Sequence, residues 1–108
     1  MVNGPVVHGM DRTLGSRQLA ALLSAVPHAD GRPGYRALAD GVRRLLLDGR
    51  IALHVRLPAE RELASALTVS RATVTAAYDL LREDGFARSR RGAGTWTELP
   101  AGHRPANV

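Results

Sequence analysis

Leu57-Pro58-Ala59-Glu60-Arg61-Glu62-Leu63-Ala64, followed by Val69-Ser70-Arg71-Ala72-Thr73-Val74, reads as two short helices joined by a tight turn. The first is acidic in its opening turn and apolar at Leu63, Ala64 and Leu67, which suits a small helix packed across its neighbours. Ser70 is placed as N-cap of the second, whose inner face is Val74, Ala77, Tyr78 and Leu81 and which Gly85 ends. A helix that opens on exposed donors and a basic side chain can enter the major groove of DNA, where such groups reach base edges and phosphates.

Outward from this pair, the elements follow the same logic. Upstream, Tyr35, Leu38, Ala39, Val42, Leu45 and Leu46 recur at helical spacing, with Arg36, Asp40, Arg43 and Arg44 on the other side and Gly49 as a stop. Residues 51–57 are rich in branched side chains and predict a short extended segment able to pair with a later hairpin. Downstream, Phe86-Ala87-Arg88-Ser89 and Thr95-Trp96-Thr97 flank Arg90-Arg91-Gly92-Ala93-Gly94, predicting a basic β-hairpin.

The predicted organisation is a flexible leader over residues 1–15, an accessory helix over 16–27, a connector over 28–34, a domain over 35–98 and a linker or tail over 99–108. The accessory helix rests on Leu19, Leu22, Leu23 and Val26, with Ser16 as its N-cap and Pro27 as its close. The fold class is mainly α with a small β-hairpin: a winged helix-turn-helix, three core helices plus a wing, with an extra N-terminal helix.

Composition narrows the function. A chain of 108 residues has room for one small domain and tails, too little for an enzyme core with a large buried pocket. The formal net charge is +5, and all 15 basic residues counted as Lys+Arg are arginines, the side chain best suited to bidentate phosphate binding. Cysteine is absent, which excludes disulfides and thiolate zinc sites and agrees with a cytoplasmic location. No apolar run approaches the roughly 18 residues of a membrane span, and residues 1–5 do not open an export signal. His8, His28, His54 and His103 are scattered without metal-ligand spacing, and no base stands beside a nucleophile. Gly92-Ala93-Gly94 lacks the Lys-Ser or Lys-Thr of a phosphate-binding loop and lies between strands, so it reads as a hairpin turn. No enzyme and no metal site is expected.

Residues 35–97 resemble the DNA-binding domain of GntR-type bacterial transcription regulators. The resemblance is carried by the two stretches quoted above and by Gly92-Ala93-Gly94-Thr95. Ala77-Tyr78-Asp79-Leu80-Leu81, Gly85-Phe86 and Ser89-Arg90-Arg91-Gly92-Ala93-Gly94-Thr95 are most similar to the MocR subgroup. Members of that subgroup usually continue into an aminotransferase-like domain that binds pyridoxal phosphate. The resemblance therefore implies an isolated domain of a longer regulator, with dimerisation supplied outside this chain. With no lysine present, a Schiff base to pyridoxal phosphate cannot form here, so no cofactor is expected in this chain.

The resemblance implies DNA contacts at Glu60 and Arg61, at Ser70, Arg71 and Thr73, and at Arg91 and Gly92. Chemistry adds to this independently. Arg71 stands one residue past a cap, where free N–H groups favour phosphate, and its fork matches guanine O6 and N7. Ser70 has a hydroxyl for a phosphate as well as for its cap, and Thr73 is a better candidate for a base contact than Thr75. Arg88, Arg90 and Arg91 charge the wing, and between Phe86 and Thr97 no acid offsets them. Arg90 accordingly joins the expected site.

Blander readings stand beside these. Arg61 has Glu62 and Asp79 as surface partners, Glu60 suits a helix start, and a basic wing suits a solvated face. Tyr78 and Trp96 are read as core, Trp96 on a strand facing the helices, rather than as stacking platforms. Two other functions remain: a winged helix whose arginines meet an acidic protein, or an accessory to an enzymatic domain elsewhere.

Three departures from the family pattern carry expectations. His54-Val55 stands where a Pro-Gly pair is common and predicts a more extended turn. Thr68 stands where Gly is frequent and predicts a strained left-handed residue. Ala59 stands where Ser is frequent and forfeits a cap worth about 1 kcal/mol.

Overall fold

The described residues form four helices and one hairpin in chain order: α1 (Ser16–Ser24), α2 (Tyr35–Leu47), α3 (Glu60–Leu67), α4 (Arg71–Glu83), β1 (Ala87–Arg90) and β2 (Gly94–Thr97). The computed structural model describes residues 12–24 and 34–101. Val26, Pro27, most of the connector and three of the four histidines lie outside these described residues.

The apolar stripes form one core. Leu38, Ala39, Val42, Leu45 and Leu46 of α2 meet Leu63 and Ala64 of α3 and Val74, Ala77, Tyr78 and Leu81 of α4, while α1 adds Leu19 and Leu23. Tyr35 departs from its expected place: in the first turn of α2 it is 37% exposed, with the Arg36 guanidinium 5.5 Å from its ring centre. Deeper packing begins one turn later, at Leu38.

The leader acquires structure before residue 16. The Arg56 amide donates to the Arg12 carbonyl and the Leu14 amide to the Arg56 carbonyl, both at 2.8 Å, and Leu14 is buried. Residues 12–15 therefore run beside the extended segment with a defined course, contrary to the expected loose leader. The Leu19 amide bonds to the Gly15 carbonyl at 2.9 Å, so Gly15 holds the cap position and Ser16 is already helical.

β1 and β2 pair antiparallel, Ala87 opposite Thr97 and Arg88 opposite Trp96. Arg56 bridges Trp96 on one side and Thr13 on the other, so the extended segment lies between the leader and the hairpin. Thr97, almost wholly buried, closes the preceding turn: its hydroxyl donates to the Ala52 carbonyl at 2.8 Å and accepts from the Val55 amide at 3.1 Å. The turn is tighter than His54-Val55 suggested, with His54 at φ 62.

Thr68 caps α3 at φ 59, ψ 46, the left-handed conformation expected from its place in the turn. Its amide and that of Val69 bond back to Ser65 and Ala64, so the chain must turn there whatever the residue. A branched side chain in this region is strained by about 1–2 kcal/mol. Thr68→Gly, offset by its larger unfolded-state entropy, is expected to stabilise the domain by about 0.5–1 kcal/mol in thermal melts. No gain would show that the turn bears no strain.

Candidate nucleic-acid interface

The exposed tip of the helix-turn-helix is built from the N-termini of α3 and α4. Ser70, extended at φ −73, ψ 153, caps α4: its hydroxyl oxygen accepts from the Thr73 amide at 3.1 Å and lies 2.9 Å from the Thr73 hydroxyl. Ala59 stands at the corresponding place before α3 and makes no side-chain cap bond, as its apolar side chain requires. Tyr78 ties the two helices together from below, its hydroxyl donating to the Pro58 carbonyl at 2.7 Å. Burial pushes the Tyr78 phenol above its ordinary pKa; the Glu60 carboxylate adds to the rise and Arg82 opposes it.

Glu60 connects the tip. Its Oε1 accepts from the Thr75 hydroxyl at 2.7 Å and lies 3.6 Å from Arg71 Nε. The Thr75 hydroxyl also reaches the Arg71 carbonyl at 3.0 Å, so Thr75 is turned toward α3. The Arg71 side chain stays 63% exposed against 25% for Glu60, which makes the pair worth little in stability. Its physical effect is to narrow the directions available to an exposed guanidinium. Arg61 lines the same surface depression as Glu60 and Arg71. The partner that sequence offered it across helices is taken: Asp79 pairs with Arg82, and among the described residues no acid is ion-paired with Arg61.

Thus Glu60, Arg61 and Arg71 come together, and Ser70 and Thr73 engage each other beside them. The wing residues form a separate group. Arg90 ends β1, while Arg91 and Gly92 lie in the exposed loop, Gly92 at φ 72. The wing is fastened to α4 by Arg82, whose Nη1 donates to the Thr95 hydroxyl at 2.9 Å.

Trp96 corrects a sequence expectation. Ala87 and Thr97 occupy the helix-facing side of the hairpin, so alternation places Trp96 on the opposite side. There it is shielded to 9% exposure with the guanidinium groups of Arg56 and Arg90 at 5.8 and 5.5 Å from its ring. Sequence reading missed Arg56 altogether. Gly94 is the signal that accompanies it, because a Cβ there would lie 2.7 Å from Arg56 Nε.

Among the described residues no group of three or more acids or histidines is placed to hold a metal, and no helix is long and apolar enough to cross a membrane.

The model for bacterial regulatory proteins of the gntR family matches residues 34–96. The chain is 42% identical over 64 residues to MocR of Rhizobium meliloti, described as a probable rhizopine catabolism regulatory protein; the match covers 59% of this chain and 13% of MocR. It is 40% identical over 58 residues to the pyridoxine biosynthesis transcriptional regulator PdxR of Corynebacterium glutamicum, covering 54% of this chain and 13% of PdxR. The matched stretch is thus a small fraction of these relatives' length. Among solved structures, YtrA of Sulfolobus acidocaldarius, a GntR-family transcription factor, superposes with a TM-score of 0.58 at 31% identity over 62% of this chain and 70% of that one. MocR, PdxR and YtrA are each described as a regulator or transcription factor. With a family match from residue 34 through α2, α3, α4 and the hairpin as far as Trp96, the chain belongs to the gntR family of bacterial regulatory proteins.

Proposed function

We propose that this chain is the duplex-DNA-binding domain of a MocR-type transcription regulator acting in the cytoplasm, with α4 in the major groove and the wing on the adjacent backbone or minor groove. The observation that carries the reading is the exposed, Ser70-capped start of α4, with Arg71 steadied by Glu60 and sharing a depression with Arg61. Free N–H groups and the positive helix end favour phosphate there, and a guanidinium can bind guanine by two hydrogen bonds.

In this reading Arg71 reads a base edge, Thr73 approaches the same groove, and Ser70 orders the tip by capping it. Arg61 meets phosphate, while Glu60 aims Arg71. Arg90, Arg91 and Gly92 bring the wing onto the backbone, where a glycine permits close approach. The similarity to MocR and PdxR supports a longer protein with its dimerisation and any pyridoxal phosphate in another domain, since this chain has no lysine for that cofactor. A dimer on two half-sites supplies the specificity that one small module lacks.

The test is a mobility-shift titration at several salt concentrations. About five phosphate contacts give a slope of log affinity against log salt of about −4 to −5. Arg91→Ala is expected to weaken binding to all duplexes alike and to flatten the slope by about 1. A salt-independent response, or no binding at micromolar protein, overturns the reading in favour of an acidic protein partner.

A further inference from the structure

The family match begins at residue 34 and leaves α1 outside it, yet α1 buries Leu19 and Leu23 and packs on α3 and on α2, with Leu23 against Gly41. Beside that packing lies a surface depression whose lining includes Arg17 and Ala20 of α1 and Arg61, Glu62 and Ser65 of α3. Arg61 and Glu62 also line the depression that contains Arg71. The two depressions are therefore contiguous, and one surface runs from Arg71 past Arg61 to Arg17. All three arginines are exposed. Among the described residues Arg17 and Arg61 are ion-paired with no acid, and Glu60 is committed to Thr75 and Arg71. Glu62 is the remaining acid along the run.

We propose that Arg61 and Arg17 continue the surface that starts at the base-reading Arg71 as a phosphate-binding track, and that Arg17 is a DNA-backbone contact supplied by α1, extending the interface beyond the helix-turn-helix. The inference rests on the duplex-DNA reading above. A DNA strand carries a phosphate about every 3.4 Å along the helix axis, so a strand engaged at Arg71 and Arg61 continues across the adjoining surface. Guanidinium groups there meet phosphates bidentately and without regard to sequence. Arg17 also stands in the first turn of α1, where the helix end favours an anion. Fixing α1 onto α3 holds the Arg17 backbone in place, so that binding has only the side chain left to order.

The experiment uses the whole chain and a short mixed-sequence duplex, with affinity measured by fluorescence anisotropy across a salt series. Arg17→Ala is expected to weaken binding about three- to tenfold at low salt and to flatten the log-log slope by about 0.9, equally for every duplex. Arg17→Lys should restore the slope, and Glu62→Gln should bind all duplexes several-fold tighter. Thermal melts of the variants should match the parent, since both residues are exposed. If the parent shows a steep salt slope and Arg17→Ala leaves slope and affinity unchanged, the track is overturned while the DNA reading stands. If the parent itself is salt-independent, the DNA reading fails and the track with it.

Discussion

Leu63→Ala is expected to lower the stability of the domain by about 2–5 kcal/mol and to abolish its binding to DNA at temperatures where the parent binds. Leu63 is completely buried in the eight-residue helix α3, where the other buried residue is Ala64. A helix this short is marginal by itself, and α3 has no side-chain cap at Ala59, so packing against α1 and α4 supplies its stability. Removing the larger anchor leaves a cavity between three helices and loosens the element that carries Glu60 and Arg61. A small domain has only about 5–15 kcal/mol to lose, so the midpoint of urea or thermal unfolding should fall markedly. Leu63→Met, which nearly preserves volume, should cost less than about 1.5 kcal/mol. Equal midpoints for Leu63→Ala and the parent would mean that α3 is held by something other than this contact.

Arg71→Ala is expected to weaken binding to the preferred duplex by about 1–3 kcal/mol and to relax selectivity at one base position, with little change in stability. The side chain is 63% exposed, so its removal disturbs no packing. Glu60→Gln separates aiming from contact. The amide oxygen still accepts from Thr75, but the charge 3.6 Å from Arg71 Nε is gone. Selectivity should then fall while non-specific affinity rises, because an acid has left the surface proposed to face DNA. Selection from a randomised duplex pool, followed by mobility shifts at fixed salt, reads both effects. Unchanged affinity and base preference in Arg71→Ala would remove this residue from the recognition surface.

The helical framework of the candidate site was legible because its determinants are local. The Ser70 cap engages Thr73 three residues away, and the stripe Val74, Ala77, Tyr78, Leu81 lies on one face of a single helix. The left-handed turn at Thr68 was expected from the resemblance, because Gly is frequent at that place in the family. The β part was less so. Four-residue strands show alternation but not which parity faces inward; burial of Ala87 and Thr97 settles that, turning Trp96 away from the helices. The pairing of the extended segment with the hairpin was expected and is seen as the bridge between Arg56 and Trp96, but nothing near Arg56 in sequence announces that its guanidinium lies over the indole. The end of α1 was misplaced at Ser16 because a serine is a good cap in general, whereas here Gly15 supplies the first accepting carbonyl.

Residue order alone specifies the set of elements and the chemistry of the surface: periods of apolar residues that make helices, turn residues between them, and a Lys+Arg stock made wholly of arginine. Which arginines lie side by side followed from packing alone. Arg17, Arg61 and Arg71 lie on three different helices, and Arg56 and Arg90 reach one indole from two separate segments. Periodicity specifies which face of an element is buried, but the exposed faces become neighbours through the angles and register at which buried faces pack.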